Sequence, residues 1–377
     1  MVVPEFRGFP FTVSGTDRFY VLAGKKRYLD FSGSAMTTGY DFLSKSDLVS
    51  PVSTLVFKSV WNERLTRKLR YISKMENVVY CTSGTEACET MLSRYATPIF
   101  ALENAYHGKG YLTYRASNGV GIDPKNCIIH LKVPRNITEE KSAASYNDDI
   151  VRKASKHFDI NGSTLIMELV QSDGGVNALS DAFIKSLVSI STEHSMHLAV
   201  DEVYTGMGRS GELLLSKKRH MKPEMVCIGK GMAAGLPLSA VMYDGDWNIS
   251  YNGAFGMQSG NMLCSRLALK TIAGLNNKRL AFVRNSGKAI IKRLSAINNE
   301  KILSVRGIGF MIGVELSENK KPLTEYAYKV RSELLRSGVV CSLVGASNNT
   351  LKITPPPYID AGTLEKGIGK IAEVLGE

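Results

Sequence analysis

The sequence has no run of apolar residues approaching the roughly 18 that a membrane span needs, no internal repeat and no low-complexity tract. Its first residues, "MVVPEFRGFPF", lack the charged region and apolar stretch of an export signal. A cytoplasmic protein with no membrane partner is expected. The six cysteines, Cys81, Cys88, Cys127, Cys227, Cys264 and Cys341, show no C-x-x-C and no paired spacing. They read as reduced thiols packed in a core, with neither a disulfide framework nor a metal site expected. The basic residues lack interleaved aromatics. The net charge of +12, from 47 Lys+Arg against 35 Asp+Glu, is scattered through "SKKRH", "NNKRL" and "RKLR". Such scatter suits a solvated surface, so no nucleic-acid partner is expected.

What is present is globular. A chain of 377 residues, 44% hydrophobic and 22% charged, is long enough for a large domain and a smaller one. From about residue 77 short apolar runs alternate with helical patterns. The strand candidates are "NVVYCT", "TPIFAL", "NCIIHLKV", "STLIMELV", "HLAVDEV", "EMVCIG" and "LSAVMY". Most show no period-2 alternation, as strands buried on both faces do. Between them lie helix candidates such as "GTEACETMLSRYA" and "SDAFIKSLVSISTEHS", the latter opening on Ser180 as N-cap. The fold class implied is α/β, a mainly parallel sheet covered by helices. From about residue 259 a long helix ("SGNMLCSRLALKTIAGL") and a basic amphipathic one precede the short strand candidates "ILSVRG", "GFMIGVEL", "VVCSLVG" and "LKITPP". Residues 36–258 are thus expected to form the large α/β domain, and 259–377 a linking helix and a small α+β domain. Residues 1–35, with a hairpin around Gly24, are expected to join that small domain or a subunit contact.

Ligands of a parallel α/β sheet bind outside the carboxyl ends of its strands. Three strand candidates carry an ionisable group there: "TLIMEL" delivers Glu168, "HLAVDEV" Asp201 and "MVCIGK" Lys230. Each alone has an ordinary explanation, the aspartate as a helix cap and the lysine as a surface loop residue. Three at one sheet edge are harder to explain so, because burying charge without a partner is costly. A partly desolvated lysine loses its proton readily and becomes a nucleophile able to form a Schiff base. Gly229 and Gly231 on either side of it would let the backbone approach a flat ring. A fourth element, "YCTSGTEACET", runs from strand into helix through Ser83, Gly84 and Thr85, presenting backbone N–H groups and hydroxyls to an anion. Viewed alone it is equally a plain cap with Glu86 in the first turn. Amine, carboxylate and phosphate cradle together specify pyridoxal 5'-phosphate.

These residues resemble the class-III aminotransferases, the ornithine, acetylornithine and 4-aminobutyrate transaminase group with the fold-type-I pyridoxal-phosphate architecture. The likeness spans nearly the whole chain and is densest in "SGTEACE", "NAYHGKG", "MELVQSDGGV", "LAVDEVYTGMGRSG" and "PEMVCIGKGMAAGLPLSAV". It implies that Lys230 forms the Schiff base and then carries the proton, while Asp201 pairs with the ring nitrogen. It implies further that Gly84 and Thr85, with Ser83 nearby, hold the phosphate. Tyr106 would stack on one ring face with His107 beside it, Val203 would pack the other face, and Glu168 would order the site. Arg209 is expected to brace a loop. Ping-pong amino transfer to a keto acid and a homodimer with the site at the subunit interface are implied as well.

The chain departs from the family pattern at four places. Tyr204 stands where a glutamine usually meets the ring's phenolic oxygen, and its hydroxyl is expected to make the same contact. Met257 replaces the threonine offered to the neighbouring subunit's phosphate, leaving Gln258 or Ser259 as substitutes. Lys352 aligns with the carboxylate-binding arginine and Asp173 with the gating glutamate, which marks both as candidate substrate residues. An aminomutase, a decarboxylating transaminase and a non-catalytic cofactor-binding regulator remain alternative readings of the same residues.

Overall fold

The computed structural model describes residues 9, 11–32, 59–94, 98–117, 119–123, 125, 127–134, 139–246 and 256–376. Its centre is an eight-stranded sheet in the order Asn77–Cys81, Ser239–Tyr243, Met225–Ile228, His197–Asp201, Thr164–Glu168, Ile99–Leu102, Ile128–Leu131, Gly121–Asp123. The strands from Met225–Ile228 to Ile128–Leu131 are mutually parallel. Antiparallel pairing enters where Ser239–Tyr243 lies between Met225–Ile228 and Asn77–Cys81, and again at the Gly121–Asp123 edge.

Every residue of the strands Thr164–Glu168, Met225–Ile228 and Ile128–Leu131 is buried, which accounts for the missing alternation in their sequences. The edge strand Gly121–Asp123 has no apolar run and left no signal to read. Helix Asp181–Glu193 begins as anticipated, with Ser180 Oγ accepting the Phe183 N–H at 3.1 Å. Parallel register sets Asp201 beside Glu168 on one side and beside Cys227 on the other. Two ionisable strand ends therefore stand shoulder to shoulder, and Lys230 follows the third strand by two residues.

A second core lies around the antiparallel strands Ile302–Ile308, Met311–Glu318, Thr350–Ile353 and Ser342–Val344, with Phe310, Ile312, Leu334 and Ile371 inside it. The hairpin Tyr20–Ala23 and Lys26–Asp30 turns at Gly24, whose φ of 59° suits glycine. It pairs in parallel with Val339–Val340, and Leu29 and Phe31 enter the second core. The run "VVCSLVG" is divided between two sheets, as Val339–Val340 and Ser342–Val344. Helix Met262–Gly274 contributes Cys264, Ala268 and Ile272 to the first core, whereas Asn277–Ser295 gives Val283 and Ile290 to the second. The expected boundary near residue 35 falls outside the described residues.

Candidate active site

Lys230 opens a single turn of 3-10 helix, Lys230–Ala233, with a φ of 45°, a left-handed conformation that strains any residue but glycine. A Cβ on Gly229 would stand 2.5 Å from Ser239 Oγ and 3.4 Å from Val203 Cγ1, so the neighbouring strand itself favours a glycine before Lys230.

One cavity of about 350 Å³ gathers Ser83, Gly84, Thr85, Tyr106, His107, Glu168, Asp201, Val203, Tyr204 and Lys230 in its walls. The phosphate-cradle candidate is the start of helix Gly84–Leu92, where Ser83 Oγ accepts the Glu86 N–H at 3.1 Å. Glu86 in turn accepts the N–H and hydroxyl of Thr82 at 2.7 and 2.6 Å. Helix geometry leaves the first N–H groups without intrahelical partners, and here they border the cavity. Gly84 packs against the opposite wall, since a Cβ there would lie 2.6 Å from Val203 Cγ1.

Asp201 meets four groups of the chain. Its Oδ1 takes the Val203 N–H at 2.9 Å and lies 3.5 Å from Cys227 Sγ. Its Oδ2 faces His107 Nδ1 at 2.8 Å and Cys88 Sγ at 3.2 Å. Burial would push this carboxyl up, but the His107 hydrogen bond and charge, with the Val203 amide and the Cys88 thiol, hold it below the ordinary range. His107 shows the converse: burial pulls it down, and Asp201 raises it above its usual value. His107 therefore serves as the partner of Asp201, which its sequence position next to Tyr106 did not reveal.

Glu168 Oε2 accepts the Tyr106 N–H at 2.9 Å and so fixes the aromatic at the cavity mouth. Burial, reinforced by Asp201 and opposed by His107, pushes the Glu168 carboxyl up to about 7. Tyr204 lies under three cations, with Lys230 Nζ 3.7 Å, Lys352 Nζ 5.0 Å and Arg209 Cζ 5.8 Å from its ring centroid. Burial would raise its phenol, yet Lys352, Arg209 and Lys230 together hold it below the usual value. Its hydroxyl lies near Thr354 but makes no well-formed hydrogen bond. Arg209 braces the segment after Thr350–Ile353, donating to the carbonyls of Thr354, at 3.0 Å, and Pro355.

Asp173 and Lys352 form an ion pair at 2.9 Å behind Tyr204, outside the walls of the central cavity. Gln258 and Ser259 do not join the cavity either. Gln258 is exposed like Met257, Ser259 is buried, and the Gly256 N–H reaches Glu86 Oε1 at 3.3 Å.

Three residues with a part in this arrangement escaped the sequence reading. Cys88 and Cys227 are free core thiols, as expected, but they also reach Asp201. Cys88 follows Gly84 by one helical turn and so shares its face. Glu202 is fully buried and accepts the N–H groups of Leu215 and Ser216, at 2.6 and 2.8 Å, and the Ser216 hydroxyl. It ties Thr205, just before the "GMGRSG" run, to the start of helix Leu215–Lys218 after it. Strand alternation in "VDEV" carried that signal.

The donor set suits pyridoxal phosphate, with an amine, a carboxylate held ionised and a helix start around one cavity. The unsatisfied Tyr204 and Ser239 hydroxyls of the wall leave polar atoms for a ligand. The family model described as aminotransferase class-III matches residues 19–375. The chain belongs to the class-III aminotransferases. Among its relatives, the acetylornithine aminotransferase of Aquifex aeolicus is 27% identical, over 93% of this chain and 93% of that protein. The acetylornithine/succinyldiaminopimelate aminotransferase of Buchnera aphidicola is 26% identical, over 100% of this chain and 94% of that one. A transaminase from the marine bacterium Virgibacillus shares the fold with a TM-score of 0.85 at 20% identity, covering 98% and 93% of the two chains. An amine transaminase from an uncultivated Pseudomonas species, solved with pyridoxal phosphate bound, gives 0.84 at 20% identity over 100% and 96%. This class-III aminotransferase is a pyridoxal-phosphate-dependent enzyme acting on small amino and keto-acid substrates. Among the described residues no helix is long and apolar enough to cross a membrane.

Proposed function

We propose that this aminotransferase takes the amino group from an amino acid or ω-amine of the acetylornithine, ornithine or 4-aminobutyrate type and gives it to a keto acid, with Lys230 as the reacting amine. The observation that carries this reading is the convergence of Lys230, Asp201 and the Ser83–Thr85 turn on one cavity. The names of the curated relatives, ornithine and acetylornithine aminotransferases, support the donor class.

Pyridoxal phosphate, when bound, supplies the electron sink that makes an amine's α-proton removable. The chain's own residues do the rest. Lys230 would hold the cofactor through its amine and carry the proton. Asp201, kept ionised by His107, would serve the ring nitrogen. Tyr106 and Val203 would pack the ring, Glu168 would order that wall, Gly84 and Thr85 with Ser83 would hold the phosphate, and the Tyr204 hydroxyl would serve the phenolic oxygen. Lys352 offers a point charge to a substrate carboxylate, with Asp173 as its gate. That charge lacks the bidentate fork of an arginine, so the acceptor differs in how its carboxylate is gripped.

The outward placement of Gln258 and the buried Ser259 beside it fits a homodimer in which this segment serves the partner's phosphate. The two cores fit a large domain, with the linking helix Met262–Gly274 packed on it, and a small one that includes the N-terminal hairpin. A cytoplasmic location fits the sequence. Borohydride treatment of the purified protein should fix the cofactor's mass on the Lys230 peptide, and Lys230→Ala should abolish both that adduct and turnover. An adduct on any other lysine sinks the assignment. A half-reaction panel of α- and ω-amines, then of keto acids, identifies the substrates.

A further inference from the structure

Two thiols converge on the carboxylate at the base of the cavity. Cys88 Sγ lies 3.2 Å from Asp201 Oδ2, Cys227 Sγ lies 3.5 Å from Oδ1, and the two sulfurs are 3.5 Å apart. Both side chains are buried, at 1% and 0% exposure. Cys88 forms part of the cavity wall, whereas Cys227 stands behind it on the neighbouring strand. A carboxylate has about four lone-pair positions. At Asp201 they meet the Val203 N–H, His107 Nδ1 and the two thiols.

We propose that Cys88 and Cys227 set the basicity of Asp201 and, through it, how firmly the ring nitrogen of the bound cofactor keeps its proton. They are positioning residues that act through Asp201, and the proposal rests on the reading in which Asp201 faces that nitrogen. Each S–H directed at the carboxylate draws negative charge off the oxygen it meets and makes that oxygen a weaker acceptor. Each also occupies a lone pair that a ring N–H would otherwise have to itself. Both effects loosen the proton on the ring, and a less firmly protonated ring is a weaker electron sink. Cys88 has the larger influence because it shares Oδ2 at the cavity wall. The other titratable groups facing Asp201 are His107 from the loop after Ile99–Leu102 and Glu168 from the adjoining strand, with Lys230 across the cavity.

The test follows the ring nitrogen by NMR in holoenzyme carrying 15N-labelled pyridoxal phosphate, titrated with pH. Cys88→Ala removes a donor and should raise the midpoint of ring-nitrogen deprotonation by roughly half a unit to one unit. Cys88→Ser substitutes a stronger donor and should lower it. Cys227→Ala should shift in the same direction as Cys88→Ala, by less. Opposite signs for alanine and serine at position 88 establish the role. Shifts of the same sign, or none, show that the thiols only fill space and overturn it. If Cys88→Ala fails to fold, Cys88→Ser and Cys227→Ala still decide, because opposite shifts are required of them. Asp201→Asn separates the two ideas: a ring resonance that ignores this change removes Asp201 from the nitrogen and defeats the underlying reading, whatever the thiols do.

Discussion

Lys352 and Asp173 are joined by an ion pair of 2.9 Å, and the same ammonium lies 5.0 Å from the Tyr204 ring centroid. Burial alone would strip the lysine of its proton more readily, but Tyr204 and Asp173 outweigh burial and hold its titration above the ordinary value. The cation is thus retained and paired. A substrate carboxylate seeking Lys352 must first displace Asp173.

That displacement is measurable. Asp173→Asn should free Lys352 and lower KM for a dicarboxylic keto acid by about tenfold, the worth of one charge-assisted hydrogen bond. Lys352→Ala should raise it by a similar factor with a smaller change in kcat. Single-turnover kinetics of the second half-reaction check both. An unchanged KM in the two variants would place the pair outside substrate binding.

Tyr204→Phe separates the hydroxyl from the ring. The hydroxyl lacks a well-formed hydrogen bond in the chain alone, so removing it should stabilise the cofactor-free protein by up to about 1 kcal/mol. The same change should weaken cofactor binding and shift its absorbance, because the ring still packs under Lys230 while the donor is gone. Thermal melting without cofactor and an absorbance titration with it report the two effects. A destabilised cofactor-free protein contradicts the idea.

At Gly84 the issue is space. A methyl group there would stand 2.6 Å from Val203 Cγ1, so Gly84→Ala must move the helix start or the valine that flanks the cavity. Overpacking of this kind costs about 1–3 kcal/mol, and the amides of the first turn would retreat from the phosphate. Gly84→Ala should therefore lose cofactor affinity more than thermal stability, whereas Gly84→Ala with Val203→Ala should recover much of both. Equilibrium dialysis with pyridoxal phosphate measures the recovery.

The Glu168 carboxyl titrates at about 7, against an ordinary 4.5, chiefly because burial disfavours its charge. The folded state therefore keeps a proton that the unfolded chain has released. The contribution of this group is full below the ordinary carboxylate range and is lost as pH rises toward about 7. Cofactor-free Glu168→Gln should lose less stability between pH 4.5 and 7 than the unaltered protein. Parallel denaturation curves across that window for the two proteins would refute the assignment.

Much of this was legible along the chain. Continuous apolar runs announced buried strands, Ser180 announced a helix start, and the strand ends announced Glu168, Asp201 and Lys230. Each of these signals is local, because a strand's face or a helix cap depends on neighbours a few residues away. Other relations were invisible for the complementary reason. The convergence of His107, Cys88 and Cys227 on Asp201 joins residues 94, 113 and 26 positions away from it. No periodicity encodes such a meeting. Likewise "VVCSLVG" reads as one strand, yet its two halves hydrogen-bond to different sheets, since only the assembled fold decides which edge lies within reach.

Local chemistry pointed to the cofactor, to Lys230 as the amine proposed to meet it and to the class of sheet that carries the site. Tertiary packing decided how those groups are charged. Asp201 is ionised because a histidine brought from another loop overcomes the penalty of burial. Lys352 keeps its proton because an aspartate and a phenol distant in sequence surround it. Desolvation and pairing are properties of three-dimensional surroundings, and no stretch of sequence contains them.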